Sequence, residues 1–290
     1  VAGDALSGAA KTQGVRYTMK ILRRISIISI LLMISILSCL SVPNDDRVDQ
    51  DGDGYDDSDM AILEEIALMN ELEIEDYKDL GKWTVFELGP RRVWKLYIFN
   101  RGITILPESI SGLSKVSEIL LSNNNLQSLP SGIGELDLLE ELRVYENRLT
   151  AIPASIANLI NLEYLNLSSN NLIAIDTLPP FLQEIVLSDN DMIEFPSAVL
   201  NLSQLKKLSI DRNQLTSISS GIDELISLTT LMAANNNLSS LPESICNMEN
   251  LEIININSNN VSFIPECIGY LNSLHFLPFQ ENELVEIPHT

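Results

Sequence analysis

The chain has 290 residues and a mass of 32.2 kDa, enough to bury a sizeable core in one or two domains. Hydrophobic residues make up 45% and charged residues 20%, which excludes wholesale disorder. Eighteen Lys and Arg stand against 40 Asp and Glu, a net charge of −22, so the chain repels phosphate backbones and no nucleic-acid partner is expected. Two histidines (His275 and His289) leave little for imidazole catalysis. Three cysteines (Cys39, Cys246, Cys267) can build neither a disulfide-dense scaffold nor a four-cysteine zinc site.

Residues 25–42 carry no charge in eighteen positions, follow Lys20, Arg23 and Arg24, and precede Asn44, Asp45 and Asp46. A basic flank, an apolar run and small residues before a cysteine predict a secretory signal over 19–38. Residues 1–18 then form an upstream extension outside the fold. Ile36-Leu37-Ser38-Cys39 resembles a bacterial lipobox, which implies acylation at Cys39 and a lipid-anchored, exported protein of the cell envelope or surface. Leu37 is bulkier than the usual residue at its position. The alternatives are plain secretion, an uncleaved signal anchor, since eighteen apolar residues just span a bilayer, or a buried helix. Cleavage before Cys39 removes a net +4 and leaves −26, so membrane contact falls to the lipid or signal anchor alone.

Residues 45–79 hold fifteen acids against Arg47 and Lys78. A block like this is ordinarily a solvated linker, but here the spacing is ordered. Within the expected linker over 39–60, Asp49, Asp51, Asp53 and Asp57 fall at loop positions 1, 3, 5 and 9, with Gly54 at position 6 and the Tyr55 carbonyl at position 7. Calcium takes six to eight hard oxygens, and a loop with a sharp glycine turn can wrap alternate side chains around it. The segment resembles the calcium loops of EF-hands, dockerins and thrombospondin type 3 repeats. Met60 replaces the bidentate acid at position 12, and Asp59 is its nearest substitute, so weak calcium binding is expected. Ile62, Ile66, Met69 and Leu72 then share one helical face. Residues 61–92 are read as a helix and N-terminal cap, with Trp83, Phe86 and Leu88 over the end of the core.

From Val93 onward the chain repeats. Val116, Ile119, Leu121, Asn124, Leu126, Leu129 and Pro130 fit L-x-x-L-x-L-x-x-N-x-L-x-x-L-P, and the frame restarts at Leu139, Leu162, Leu182, Leu205, Leu228, Leu251 and Leu274. The spacing is 23 residues, except 20 in the fourth repeat. This resembles the leucine-rich-repeat family in its 23-residue LPxxIxxL subtype. The resemblance implies nine repeats over 93–290 in an α/β solenoid: a horseshoe with a parallel concave sheet and short turns or 3-10 segments on the convex side. One repeat cannot bury its own apolar face, so stacked coils share one core. The family's asparagines ladder between coils, and Arg101 replaces the first of them, where no earlier turn needs bridging. Asp176 and Leu178-Pro179-Pro180 are expected to narrow the convex side in the fourth repeat.

Partners of this family usually lie on the concave face. Tyr97, Phe99, Arg143, Tyr145, Glu146 and Tyr164 fall there in the first four repeats and are residue types enriched at binding hot spots. Positions five and seven of the later repeats carry blander residues such as Ser209 and Asn255. No phosphate-loop, dinucleotide, zinc-protease or nucleophile-elbow motif occurs, so no enzymatic activity is expected. Cys246 and Cys267 lie in adjacent repeats and could pair on the convex side; spacing alone leaves that open. The expected function is a non-enzymatic module for a protein partner. The alternative is a structural envelope protein that self-associates through an open C-terminal end.

Overall fold

The computed structural model describes residues 49, 54–72, 77–84 and 90–286. Cys39, Asp51, Asp53, Phe86 and Leu88 lie outside them. Nine strands form one sheet in chain order: β1 (Gly81–Thr84), β2 (Arg92–Tyr97), β3 (Glu118–Leu120), β4 (Glu141–Arg143), β5 (Tyr164–Asn166), β6 (Glu184–Val186), β7 (Lys207–Ser209), β8 (Thr230–Met232) and β9 (Ile253–Asn255). Strand β1 is antiparallel to β2. The pairs from β2 to β9 are all parallel and in register, residue three of one coil beside residue three of the next. The ninth coil joins through a single bridge, Ile253 to Phe276.

Alternation dictates the layers. The first, fourth and sixth residues of each coil point inward and are fully buried in coil after coil, as with Val116, Ile119 and Leu121. The leucines and isoleucines of the L-P-x-x-I-x-x-L half close the core from the other side, where 3-10 turns such as Glu108–Gly112, Ser131–Glu135 and Ala154–Asn158 replace helices. Proline opens most of these turns. It supplies a fixed φ and needs no hydrogen-bond acceptor. Between β5 and β6 no 3-10 segment forms, so the three residues missing from the fourth repeat come out of the convex side. Adjacent turns there run very close: a Cβ on Gly134 would strike the Ser155 carbonyl, which excludes any larger residue.

Each coil leaves polar backbone groups in the core, and asparagine satisfies them. Asn147 Nδ2 donates to Leu121 O (2.9 Å) in the preceding coil and to Val144 O (3.2 Å) in its own, while its Oδ1 accepts from Leu126 N (3.0 Å). Asn124, Asn170, Asn190, Asn213, Asn236, Asn259 and Asn282 repeat the arrangement. A buried amide group left unpaired costs about 1–3 kcal/mol, so one asparagine protects several such groups at once. The residue before each asparagine position is left-handed, with φ between 50° and 58° in all nine coils, from Asn100 to Glu281. None is glycine. The strain is offset because these N–H groups donate to the next coil, as Glu146 N does to Ser168 O at 3.0 Å.

The N-terminal end is closed by helix α1 (Asp57–Met69), which begins inside the acidic segment rather than at residue 61. Asp56 caps it, accepting from Ser58 N and Asp59 N. Ile62, Leu63, Ile66 and Ala67 pack on the first coil, while Met69 stays partly exposed. Asn70, just past its end, accepts from Thr104 N (2.8 Å) and donates to Ile105 O (2.9 Å). The helix thus meets backbone groups of the first coil that have no preceding coil.

Candidate binding surface on the concave sheet

The register builds a row of side chains across the sheet at the third position of each coil: Lys95, Glu118, Glu141, Tyr164, Glu184, Lys207, Thr230 and Ile253. The fifth positions form a second row, in which Tyr97, Leu120, Arg143 and Asn166 stand side by side. Glu118 sits at the centre of the first four coils. It is ion-paired to Lys95, accepts from the Tyr97 hydroxyl at 2.9 Å, and has Arg143 Nη1 at 3.9 Å. Arg143 also pairs with Glu141, and its guanidinium lies 5.2 Å from the Tyr164 ring centroid. Tyr164 in turn accepts from Asn166 Nδ2 at 3.2 Å.

Four of the six expected contact residues therefore lie close together in space. Tyr97, Arg143 and Tyr164 are members of one network, and Tyr145 stands beside it on the half-buried seventh position. Phe99 is 53% exposed at the N-terminal corner. Glu146 sits apart, on the left-handed turn beyond the strand. Two carboxylates and a ring engage the Arg143 guanidinium. Its contribution is to fix Tyr164.

The later coils are less bland than positions five and seven suggest. Lys207 pairs with Glu184 at 3.2 Å. Asp211 accepts from Ala234 N and Ser188 Oγ, and burial pushes its carboxyl above the usual range. Half-buried Met232 and Ile253 and exposed Phe276 form an apolar sector. Ile253 and Phe276 stand at the third position of their repeats, which a reading of positions five and seven passes over, whereas Met232 stands at the fifth.

The acidic loop is joined to the cap. Gly54 has φ +87° and donates to Asp49 Oδ2 at 3.0 Å, the sharp turn expected at loop position 6. Tyr55 bridges to Arg91, and Arg91 N donates to Gly54 O at 3.0 Å. Asp57 opens helix α1. Asp59 is a correction. It is fully buried, accepts from Arg92 Nε (2.9 Å), Arg92 Nη2 (3.0 Å) and Val93 N (2.7 Å), and so staples the helix to β2 instead of facing an ion. Burial pushes its carboxyl upward, against the pull of Arg92 and Val93. Among the described residues no group of three or more acidic, histidine or cysteine side chains is placed to hold a metal ion. On the convex side Cys246 and Cys267 form a disulfide between the seventh and eighth coils, with Cα atoms 5.8 Å apart.

Burial opposes ionisation of Glu118, but Lys95 and Tyr97 together hold its carboxyl below the ordinary 4.5, and Glu118 raises Lys95 above 10.5. A depressed acid stabilises above its unfolded value and loses that stability as pH falls. A raised amine stabilises below its unfolded value and loses that stability as pH rises. The pair therefore contributes fully between pH 4.5 and 10.5. Glu118→Gln is expected to cost about 1 kcal/mol at pH 7. In thermal melts that difference should shrink once pH falls below 4.5. A constant difference down to pH 3 would exclude the linkage.

Two family models match, both described as leucine-rich repeats: a two-copy model over residues 137–180 and a single-copy model over 227–248. No curated protein matches the chain. Among solved structures, a leucine-rich-repeat protein of Leptospira interrogans is 29% identical, with TM-score 0.55, over 68% of this chain and 57% of its own. The leucine-rich-repeat ectodomain of the Arabidopsis receptor kinase HAESA, in complex with an IDA peptide hormone ligand, is 24% identical, with TM-score 0.63, over 78% of this chain and 41% of its own. TLR13 in its complex with ssRNA13 is 21% identical, with TM-score 0.61, over 67% of this chain and 29% of its own. The chain thus spans well under two thirds of each of these structures. Repeat period, asparagine ladder, parallel sheet and family models agree: this chain carries leucine-rich repeats and folds as a leucine-rich-repeat solenoid.

Proposed function

We propose that this chain is an exported, lipid-anchored, non-enzymatic module that binds a protein partner on the concave face of its first four coils. The observation that carries the reading is the Glu118-centred network. It holds Tyr97, Arg143 and Tyr164 in fixed positions beside Tyr145, so a partner meets tyrosines whose side-chain entropy is already lost. Truncating a true hot spot costs about 2 kcal/mol, roughly thirtyfold in affinity. Tyr145→Ala combined with Tyr164→Ala should weaken capture of the partner by immobilised full chain to that extent, with the melt nearly unchanged. Ser209→Ala with Asn255→Ala should have little effect. Equal losses from both pairs would move the contact surface off the first four coils.

Export is supported by the Cys246–Cys267 disulfide, a bond that persists in oxidising compartments and is rare in the cytosol. The lipobox-like stretch ending at Cys39 supplies the anchor in this reading. Cys39→Ser should abolish palmitate labelling and release the protein from membranes. Membrane association that survives the change would identify an uncleaved anchor instead.

The loop over 49–57 is proposed to bind calcium weakly through Asp49, Asp51, Asp53, the Tyr55 carbonyl and Asp57. The Asp49–Gly54 hydrogen bond and the left-handed Gly54 support a closed turn of the required kind. Titration of the full chain with calcium should give millimolar-range binding that Asp51→Ala and Asp53→Ala together remove. Equal heat in the double variant would exclude the loop.

A further inference from the structure

In every coil after the first, the ninth position is an asparagine spent on the preceding coil. The first coil has no such neighbour, and its ninth residue, Arg101, is released to the surface. Its backbone N–H still donates to Asn124 Oδ1 at 3.1 Å, which fixes the turn and leaves the guanidinium unspent. Among the described residues Arg92, Lys95, Arg143, Lys207 and Arg212 each pair with a carboxylate, whereas Arg101, like Lys115 and Arg148, does not.

Arg101 lines a cavity of about 410 Å³ together with Asp79, Gly81, Tyr97, Phe99 and Asn100. The space is an open surface groove, with Asp79, Phe99, Asn100 and Arg101 all exposed along it. Phe99 supplies an exposed apolar wall. The Tyr97 hydroxyl is committed to Glu118, which leaves its ring to the cavity. Asp79 lines the same space without pairing to Arg101, so one cation and one separate acceptor are present. A lone guanidinium matches a carboxylate through two parallel hydrogen bonds. The acidic chain around it disfavours a polyanion.

We infer that this corner pocket binds a peptide segment in which a carboxylate lies beside an apolar side chain. Arg101 takes the carboxylate, Phe99 packs on the apolar group, and Asp79 accepts a peptide N–H. The inference rests on the concave-face reading, because Tyr97 belongs both to the pocket and to the network.

The test titrates the full chain, in neutral detergent, with acetyl-Ala-Glu-Phe-Ala-amide, its Glu-to-Gln and Phe-to-Ala versions, and 3-phenylpropanoate. The first peptide should bind about tenfold more tightly than the other three probes, and Arg101→Gln should remove that advantage while Arg101→Lys keeps part of it. Arg101 is exposed, so a matching melt for each variant shows that the fold is retained. Equal affinity for the Glu and Gln peptides, or an unchanged Arg101→Gln titration, overturns the inference. Binding of 3-phenylpropanoate as tight as the peptide overturns the peptide assignment in favour of a small organic acid. If the peptides fail while Tyr145→Ala and Tyr164→Ala still weaken partner capture, the pocket falls and the concave-face reading stands. If the peptides bind as described and that double variant has no effect, the reverse holds.

Discussion

The structure depends on one hydrogen-bonding device, the asparagine that closes each strand. A parallel solenoid must turn its chain out of the sheet once per coil, and each turn would bury amide groups without partners. The asparagine side chain carries two donors and an acceptor on a short stem, so it reaches both its own coil and the one before. Its reach fixes the spacing between coils and thereby the register of the sheet. The left-handed residue ahead of it recurs in all nine coils, eight times before an inward asparagine and once, at Asn100, before Arg101.

A ladder of this kind needs a start. Helix α1 provides it, with Asn70 meeting Thr104 and Ile105 as later asparagines meet their own neighbours. The buried Asp59–Arg92 pair locks the helix to the first parallel strand. A buried pair of this sort contributes more to fixing one arrangement than to net stability, since both charges lose their water. Here it determines how the acidic segment meets the solenoid. The carboxylate that sequence spacing offers to a calcium ion belongs to the fold.

Because neighbouring coils are in register, surface chemistry on the concave face is organised in rows rather than along the chain. Lys95 and Glu118 are far apart in sequence and adjacent in space, as are Arg143 and Tyr164. The N-terminal half becomes a rigid, internally neutralised field of tyrosines. The C-terminal half turns apolar at Met232, Ile253 and Phe276. Arg101 stands outside both halves because the ladder makes no demand on it.

The sequence by itself determined the repeat period, the inward leucines, the asparagine positions and the short fourth repeat. Each of these is a local pattern that recurs, and recurrence separates it from chance. It also marked Cys246 and Cys267 as neighbours while leaving their bond open, since spacing does not fix the distance between two sulfurs. Only the tertiary structure decided which polar side chains are committed. Asp59 and Arg143 carry the same charge whether free or paired, and their partners, Arg92 and Glu118, lie 33 and 25 residues away. The same holds for the corner pocket, where Asp79 and Arg101 meet only because β1 folds back antiparallel on β2. Periodicity specifies which face a residue takes, and stacking specifies what stands next to it.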